Sequence, residues 1–246
     1  MIPLVSCCDL TMRFPVYGVN SRSLKKHLAG LTIGGRLKES SRSTVITALS
    51  NVNLELRAGD RLGLIGHNGS GKTTLLRALA GAYEPDEGRI EVCGRMSALL
   101  DIGLGIDPSA TGYENIRLRA RIAGLPSSTV SALLDEIGDF TGLGPFLAMP
   151  VKTYSAGMQA RLAFAAATAT PADILLMDEW VAVGDTEFKA QAQQRLEALA
   201  DRAGILVLAS HDTATLTRYC NKVMRLHHGE ASEVADIAQL DELLAA

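Results

Sequence analysis

The stretch "GHNGSGKT" (66–73) limits what this chain can fold into more than any other part of it. It fits G-x-x-x-x-G-K-[ST], a pattern found where a buried strand runs into a tight glycine loop and the loop opens directly into a helix. The flanks agree: "RLGLIG" (61–66) is a short apolar run ending in glycine, and "KTTLLRALAG" (72–81) reads as a helix stopped by Gly81. Glycines let such a backbone curl so that successive N–H groups point inward, an arrangement that holds phosphate. Gly66, His67, Asn68, Gly69, Ser70 and Gly71 would form that cradle, with Lys72, Thr73 and Thr74 opening the helix. Lys72 is placed to reach the β- and γ-phosphates of a nucleotide, and Thr73 to offer its hydroxyl to Mg²⁺.

The rest of the chain alternates strands and helices. "VNLELRAG" (52–59) alternates apolar and polar residues, as a half-exposed strand does, and "GRIEVCG" (88–94) is a second strand between glycines. From about 112 to 145 the pattern is helical, broken at Gly124-Leu-Pro126 and Gly142-Leu-Gly144-Pro145. A helix opens at "YSAGMQARLAF" (154–164), then come the apolar strand "DILLMDE" (173–179), a helix over about 186–202 and the apolar strand "GILVLAS" (204–210). A further helix leads to "KVMRL" (222–226). In the tail, Val234, Ile237, Leu240 and Leu244 are spaced for one face of a helix. Continuous apolar strands alternating with helices imply a parallel sheet covered on both faces, and the alternating early strands imply an attached antiparallel sheet. Residues 15–45 are rich in Gly, Ser and basic side chains with little periodicity, and read as an insertion between two early strands.

Composition narrows the functional classes. With 246 residues, 47% of them hydrophobic, the chain can bury a large core without disulfides, and Cys7, Cys8, Cys93 and Cys220 show no metal-site or redox spacing. They read as reduced thiols of a cytosolic protein. The 24 basic and 27 acidic residues leave a net charge of −3, which argues against broad nucleic-acid binding, although residues 13–42 are locally cationic. No apolar stretch approaches the roughly 20 residues of a membrane span, so any membrane role comes through a partner.

Three further places carry chemistry. Asp178 and Glu179 end a buried strand, where an acid can hold Mg²⁺ and its neighbour can take a proton from an attacking water. His211 directly follows another such strand; it could touch a γ-phosphate or position the water, or simply cap the helix that follows. His227 and His228 read as surface residues. At 155–157 the small residues Ser155, Ala156 and Gly157 leave the N–H groups of a helix start uncovered, which suits an anion.

Taken in order, strand, phosphate loop, helix, Ser-x-Gly helix start, Asp-Glu strand end and strand-end His resemble the ABC-type ATPases across nearly the whole chain. The resemblance implies an α/β P-loop ABC ATPase fold: a mainly parallel sheet flanked by helices, an antiparallel β subdomain, and a helical subdomain over about 112–170. It implies ATP and Mg²⁺ as cofactors. Tyr154, Ser155, Ala156, Gly157 and Met158 would be the signature segment, with Ser155 and Gly157 binding the γ-phosphate of ATP held by a second copy of the chain. Asp185 in "VGD" would cross that dimer interface, Thr73 and Asp178 would hold the metal, and Phe14 or Tyr17 would stack on adenine. Where many relatives carry a metal-sensing Gln this sequence has none; Asp101 stands where Glu is usual and is a further candidate metal contact. Trp180 follows Glu179 where Val or Pro is more usual.

"GRMSALLDIGLGIDPSATGYENI" (94–116), "PVKTYSAGMQARLAFA" (150–165) and "DILLMDEWVAVGD" (173–185) look like the ATPase subunits of bacterial polysaccharide exporters, which handle O-antigen, capsule and teichoic-acid chains on lipid carriers. That resemblance implies one nucleotide-binding domain over 1–246, a homodimer at the cytoplasmic face of the inner membrane, and integral-membrane permease subunits through which a lipid-linked glycan passes. It implies no nucleic-acid partner and no carbohydrate-binding domain after the ATPase. The apolar, glycine-punctuated segment 98–106 is the expected permease contact. Other readings are the ATPase of an importer or drug exporter, or a soluble ABC ATPase acting on DNA or ribosomes.

Overall fold

A computed structural model describes residues 2–16, 36–40, 43–179 and 186–245. They form two compact bodies. The first holds the described residues of 1–100, 173–180 and 204–246, and the second those of 101–172 and 181–203.

Two sheets make up the first body. In the antiparallel one, β1 (Leu4–Val16) lies between β3 (Ser43–Arg57) and β5 (Glu87–Cys93), and β2 (Arg36–Ser40) pairs with the outer side of β3. The alternation read in the sequence is what folds β3: Val52, Leu54 and Leu56 are buried while Asn51, Asn53, Glu55 and Arg57 face solvent. A register shift in β1 between Cys7 and Leu10 leaves Asp9 at φ 52°, and Asn53 steadies it by accepting the Asp9 N–H at 2.9 Å.

The second sheet runs β10-β9-β4-β8-β7-β6, from strands β4 (Arg61–Ile65), β6 (Met96–Leu99), β7 (Ile174–Asp178), β8 (Ile205–Ala209), β9 (Lys222–His227) and β10 (Glu230–Ala231). Pairings among β9, β4, β8, β7 and β6 are all parallel. Strand β8 is wholly buried, which is why its text is an unbroken apolar run. Helix α1 (Lys72–Leu79) buries Leu75, Leu76 and Leu79 in the same core. Because β4 lies between β8 and β9, the loop leaving its carboxyl end opens where the strand order reverses, the usual ligand position in open α/β sheets. Cys7 and Cys220 are buried free thiols, and burial pushes both up to about 12.

The tail departs from expectation. Instead of one helix over 234–244, β11 (Ala235–Asp236) pairs antiparallel with β9, a 3₁₀ turn covers Ile237–Gln239, and a short helix follows at Leu240–Ala245. Two features override the helical spacing. The edge of β9 offers unpaired backbone groups, and the Asp236 carboxylate accepts the Ala238 N–H at 2.9 Å, starting the helical turns three residues late. Val234 and Leu240 still pack inward, but Leu244 is left 48% exposed.

The second body contains α2 (Gly112–Ile122), α3 (Ser127–Thr141), α4 (Ala156–Thr168) and α5 (Thr186–Arg202). Thr111 and Glu114 form a capping box at the start of α2, and Gly142 at φ 63° ends α3. Ile116, Ile137, Leu147, Val151 and Leu162 are the centre of its core. Asn115, fully buried, ties down the preceding loop: its Oδ1 accepts the Asp107 N–H at 2.7 Å and its Nδ2 donates to the Asp107 and Thr111 carbonyls.

Candidate functional site

Three glycines of the 66–71 loop take positive φ: Gly66 at 148°, Gly69 at 79° and Gly71 at 114°. Gly66 is also a place of close approach, since a Cβ there would lie 2.2 Å from the Leu226 carbonyl oxygen. The loop thus curls as its sequence predicts and delivers α1 with an N-cap, Gly71, that makes no side-chain hydrogen bond. The first N–H groups of that helix stay available to an anion.

Lys72 is 7% exposed, and its ammonium lies across the loop, donating to the carbonyls of Gly66 at 2.7 Å and His67 at 3.2 Å. Burial lowers its pKa from the ordinary lysine value, and the charges of Asp178 and Glu179 oppose that shift. Thr73 Oγ1 donates to Asp178 Oδ2 at 2.6 Å. A hydroxyl and a carboxylate side by side at the end of a phosphate loop form the hard oxygen set that Mg²⁺ prefers, so the residues fit the metal.

Glu179 leaves the sheet in a left-handed conformation, φ 73°, while its N–H still donates to the Ala209 carbonyl at 2.8 Å. Its carboxylate is held from the neighbouring strand end. Ser210, 2% exposed, donates its Oγ–H to Glu179 Oε2 at 3.1 Å, and His211 Nε2 lies 3.8 Å from Oε1. Asn68, Gly69, Gly71, Lys72, Thr73, Thr74, Asp178, Glu179 and His211 line one cavity of about 470 Å³. Six of the nine loop residues singled out and the three at the strand ends therefore converge, while Gly66 and His67 line a separate cavity. Asp212, which follows His211, is the residue that caps the next helix, accepting the Ala214 and Thr215 N–H groups.

Other predicted residues fall elsewhere. Phe14 packs edge-on against Tyr83, with ring centroids 5.2 Å apart, beside the first body's core, and does not line that cavity. In the second body, Ser155, Ala156 and Gly157 are exposed, and Ser155 Oγ caps α4 by accepting the Met158 N–H at 3.3 Å. Tyr154 turns inward, 6% exposed, and donates its hydroxyl to the Phe146 carbonyl at 2.6 Å; Met158 packs on the same core. Asp101 accepts the N–H of Gly103 at 3.1 Å within its own loop. Tyr17, Trp180 and Asp185 lie outside the described residues.

Two features of this region escaped the sequence reading. Ser210, as a lone serine after an apolar strand, gave no signal of its hold on Glu179. His227 and His228 are exposed, as expected of surface residues, but they gather with His67 of the phosphate loop, a residue some 160 positions earlier. Desolvation, and then the charges of His228, Arg225 and His67, hold the His227 imidazole below its ordinary value.

Comparison with known proteins shows the family. Residues 49–182 match the ABC transporter family. The O-antigen export system ATP-binding protein RfbE of Yersinia enterocolitica is 41% identical over 222 residues, which is 90% of this chain and 93% of that protein. The teichoic acids export ATP-binding protein TagH of Lactococcus lactis subsp. lactis (strain IL1403) is 35% identical over 90% of this chain, which spans only 46% of that relative's length. Among solved structures, a dimeric ATP-binding cassette in a post-hydrolysis state bound to ADP and Pi overlays with a TM-score of 0.68. That match covers 95% of this chain and 98% of the other at 20% identity, a likeness of fold. With the phosphate loop, its magnesium-type acid and the glutamate beyond it in one cavity, and with relatives matched over nine-tenths of its length, the chain belongs to the ABC transporter family as one of its ATP-binding subunits.

Proposed function

We propose that this chain hydrolyses ATP to drive a membrane permease that exports lipid-linked polysaccharide, working as a homodimer on the cytoplasmic face of a bacterial inner membrane. The hydrolase reading is carried by the 2.6 Å contact between Thr73 and Asp178 in the cavity that also holds Lys72 and Glu179. The cargo is carried by similarity to a protein named for O-antigen export over nearly its full length.

Each residue has a task in that reaction. The N–H groups of the loop and of the first turn of α1 bind the phosphates, and Lys72 exchanges its hold on the Gly66 and His67 carbonyls for the β- and γ-phosphate oxygens. Thr73 and Asp178 would hold Mg²⁺, which neutralises charge on those phosphates when bound. Glu179 accepts the proton of the attacking water. Ser210 fixes the Glu179 carboxylate, and His211, which lines the same cavity, would contact the γ-phosphate. Adenine is assigned to Phe14 or Tyr17. The exposed start of α4 at Ser155–Gly157 would close on ATP bound by a second copy, with Asp185 at the same junction.

The permease contact is assigned to the 98–106 segment and the helix beside it. Leu104 is 71% exposed, and Leu118 and Ile122, one turn apart on α2, are 43% and 74% exposed. Arg119, between them in sequence, donates to the carbonyls of Ile102 and Leu104 and so fixes the loop to the helix. Exposed apolar side chains of this size grouped near one helix mark a protein interface.

The test uses Glu179→Gln to trap the ATP-bound complex. Membranes are extracted gently with ATP and Mg²⁺, the tagged protein is purified, and its companions are identified by mass spectrometry. A multi-span permease carrying a glycolipid is expected. Recovery of ribosomes, of DNA, or of no membrane protein would remove the export reading and leave the hydrolase intact.

A further inference from the structure

Strand β9 turns into β10 through two consecutive left-handed residues, His228 at φ 51° and Gly229 at φ 83°, between the paired residues His227 and Glu230. This is the tight primed turn that matches strand twist. The turn is fastened to the phosphate loop, because the Gly229 N–H donates to the Ser70 carbonyl at 3.0 Å and the Gly229 carbonyl accepts the Ser50 N–H at 2.8 Å. It has little freedom to drift, since even a Cβ on Gly229 would come within 2.7 Å of the Ala48 carbonyl oxygen.

Two imidazoles are thereby held against a third. The His67 ring centroid lies 5.4 Å from that of His227 and 4.7 Å from that of His228, which are themselves 4.2 Å apart. One ring nitrogen from each can be chosen so that all three lie within 4.8 Å of one another. The tautomer of His67 follows from its partner. Its Nδ1 is 2.8 Å from the Asn68 carbonyl oxygen, which can only accept, so Nδ1 carries the proton and Nε2 presents a lone pair. That Nε2 is buried and has no hydrogen-bond partner. A histidine pinned through one nitrogen to a backbone carbonyl, with the other left bare, is the usual second-shell arrangement of a metal ligand.

We propose that His67, His227 and His228 bind one Zn²⁺ ion, tying the β9–β10 turn to the phosphate loop. Three imidazoles suit zinc and its first-row neighbours, whereas Mg²⁺ prefers oxygen, so this site is chemically separate from the Thr73–Asp178 pair. Zinc to imidazole nitrogen is about 2.0–2.1 Å, which puts two ligands of one tetrahedral ion about 3.4 Å apart. Rotation of the exposed His227 and His228 side chains closes the remaining gap, and the fourth position stays open to water. An ion there would brace the loop that holds the nucleotide, which gives the cassette a means of responding to zinc.

The test uses the untagged full chain, stripped of metal by a chelator and free of nucleotide. Zn²⁺ is titrated in competition with a chromophoric chelator, alongside the paired variant His227→Gln/His228→Asn. Asparagine is chosen because it tolerates a left-handed φ and so preserves the turn. One Zn²⁺ per chain is expected in the parent. Its affinity should fall by more than about 100-fold in the variant, since losing a second-shell partner alone costs 10–100-fold. Zn²⁺ should raise the thermal midpoint of the parent and not that of the variant. His227→Gln alone serves if the paired variant fails to fold. Equal zinc binding by parent and variant, or none by either, overturns the site. With no nucleotide present, such a failure leaves the hydrolase reading untouched.

Discussion

Glu179 sits at φ 73°, a conformation that costs a non-glycine residue about 1–3 kcal/mol and that persists where the surroundings enforce it. What enforces it here is the Ala209 carbonyl on its N–H and the Ser210 hydroxyl on its carboxylate. The left-handed turn carries the carboxylate to the cavity wall, while Asp178, one residue earlier, stays in the sheet. Glu179→Gln keeps the shape and removes the proposed base, so ATP should still bind while turnover falls by roughly 10²–10⁴. Single-turnover kinetics beside calorimetric ATP binding would show both, and normal turnover would remove Glu179 from the chemistry. Ser210→Ala should lower kcat about tenfold through loss of one hydrogen bond to a charged group, with KM nearly unchanged. A rise in KM at constant kcat would instead make Ser210 part of the nucleotide pocket.

At the scale of the element, the strand, loop and helix over 61–79 work as one unit. Strand β4 is buried on both faces, the loop takes three positive-φ glycines, and α1 anchors the far end with Leu75, Leu76 and Leu79. Gly66 is the tightest joint, because a Cβ there would run into the Leu226 backbone on the neighbouring strand rather than into a side chain that could move. Gly66→Ala should therefore cost about 1–3 kcal/mol in stability by overpacking and also abolish ATP binding. A thermal melt and a nucleotide titration on the same sample would test this. Retained ATP affinity would mean that the loop can re-form without its first glycine.

At the scale of the whole molecule, the residues of the 66–74 loop belong to one body and the Ser155–Gly157 helix start to the other. The latter is exposed, Ser155 Oγ accepts the Met158 N–H, and the first turn carries no acidic side chain. A second copy of the chain carrying ATP would satisfy it. Light scattering after size exclusion should find Glu179→Gln as a dimer in ATP and Mg²⁺ and as a monomer without them. Adding Ser155→Arg should keep it monomeric while each chain still binds ATP. Dimers that persist in that double variant would move the interface elsewhere.

By itself the sequence determined the phosphate loop, the Asp178–Glu179 pair and the alternation of buried strands with helices. Each of these is written locally: in glycine spacing, in a few consecutive apolar residues, or in one charged pair at the end of such a run. The tertiary structure decided what depends on strand order. Ser210 meets Glu179 because β8 lies beside β7, and the tail becomes an edge strand because β9 has an open side. His227 and His228 reach His67 because β9 pairs with β4, bringing a hairpin turn onto a loop far away in the chain. No local pattern could foretell these meetings, since parallel pairing joins segments whose own sequences carry no record of their neighbour.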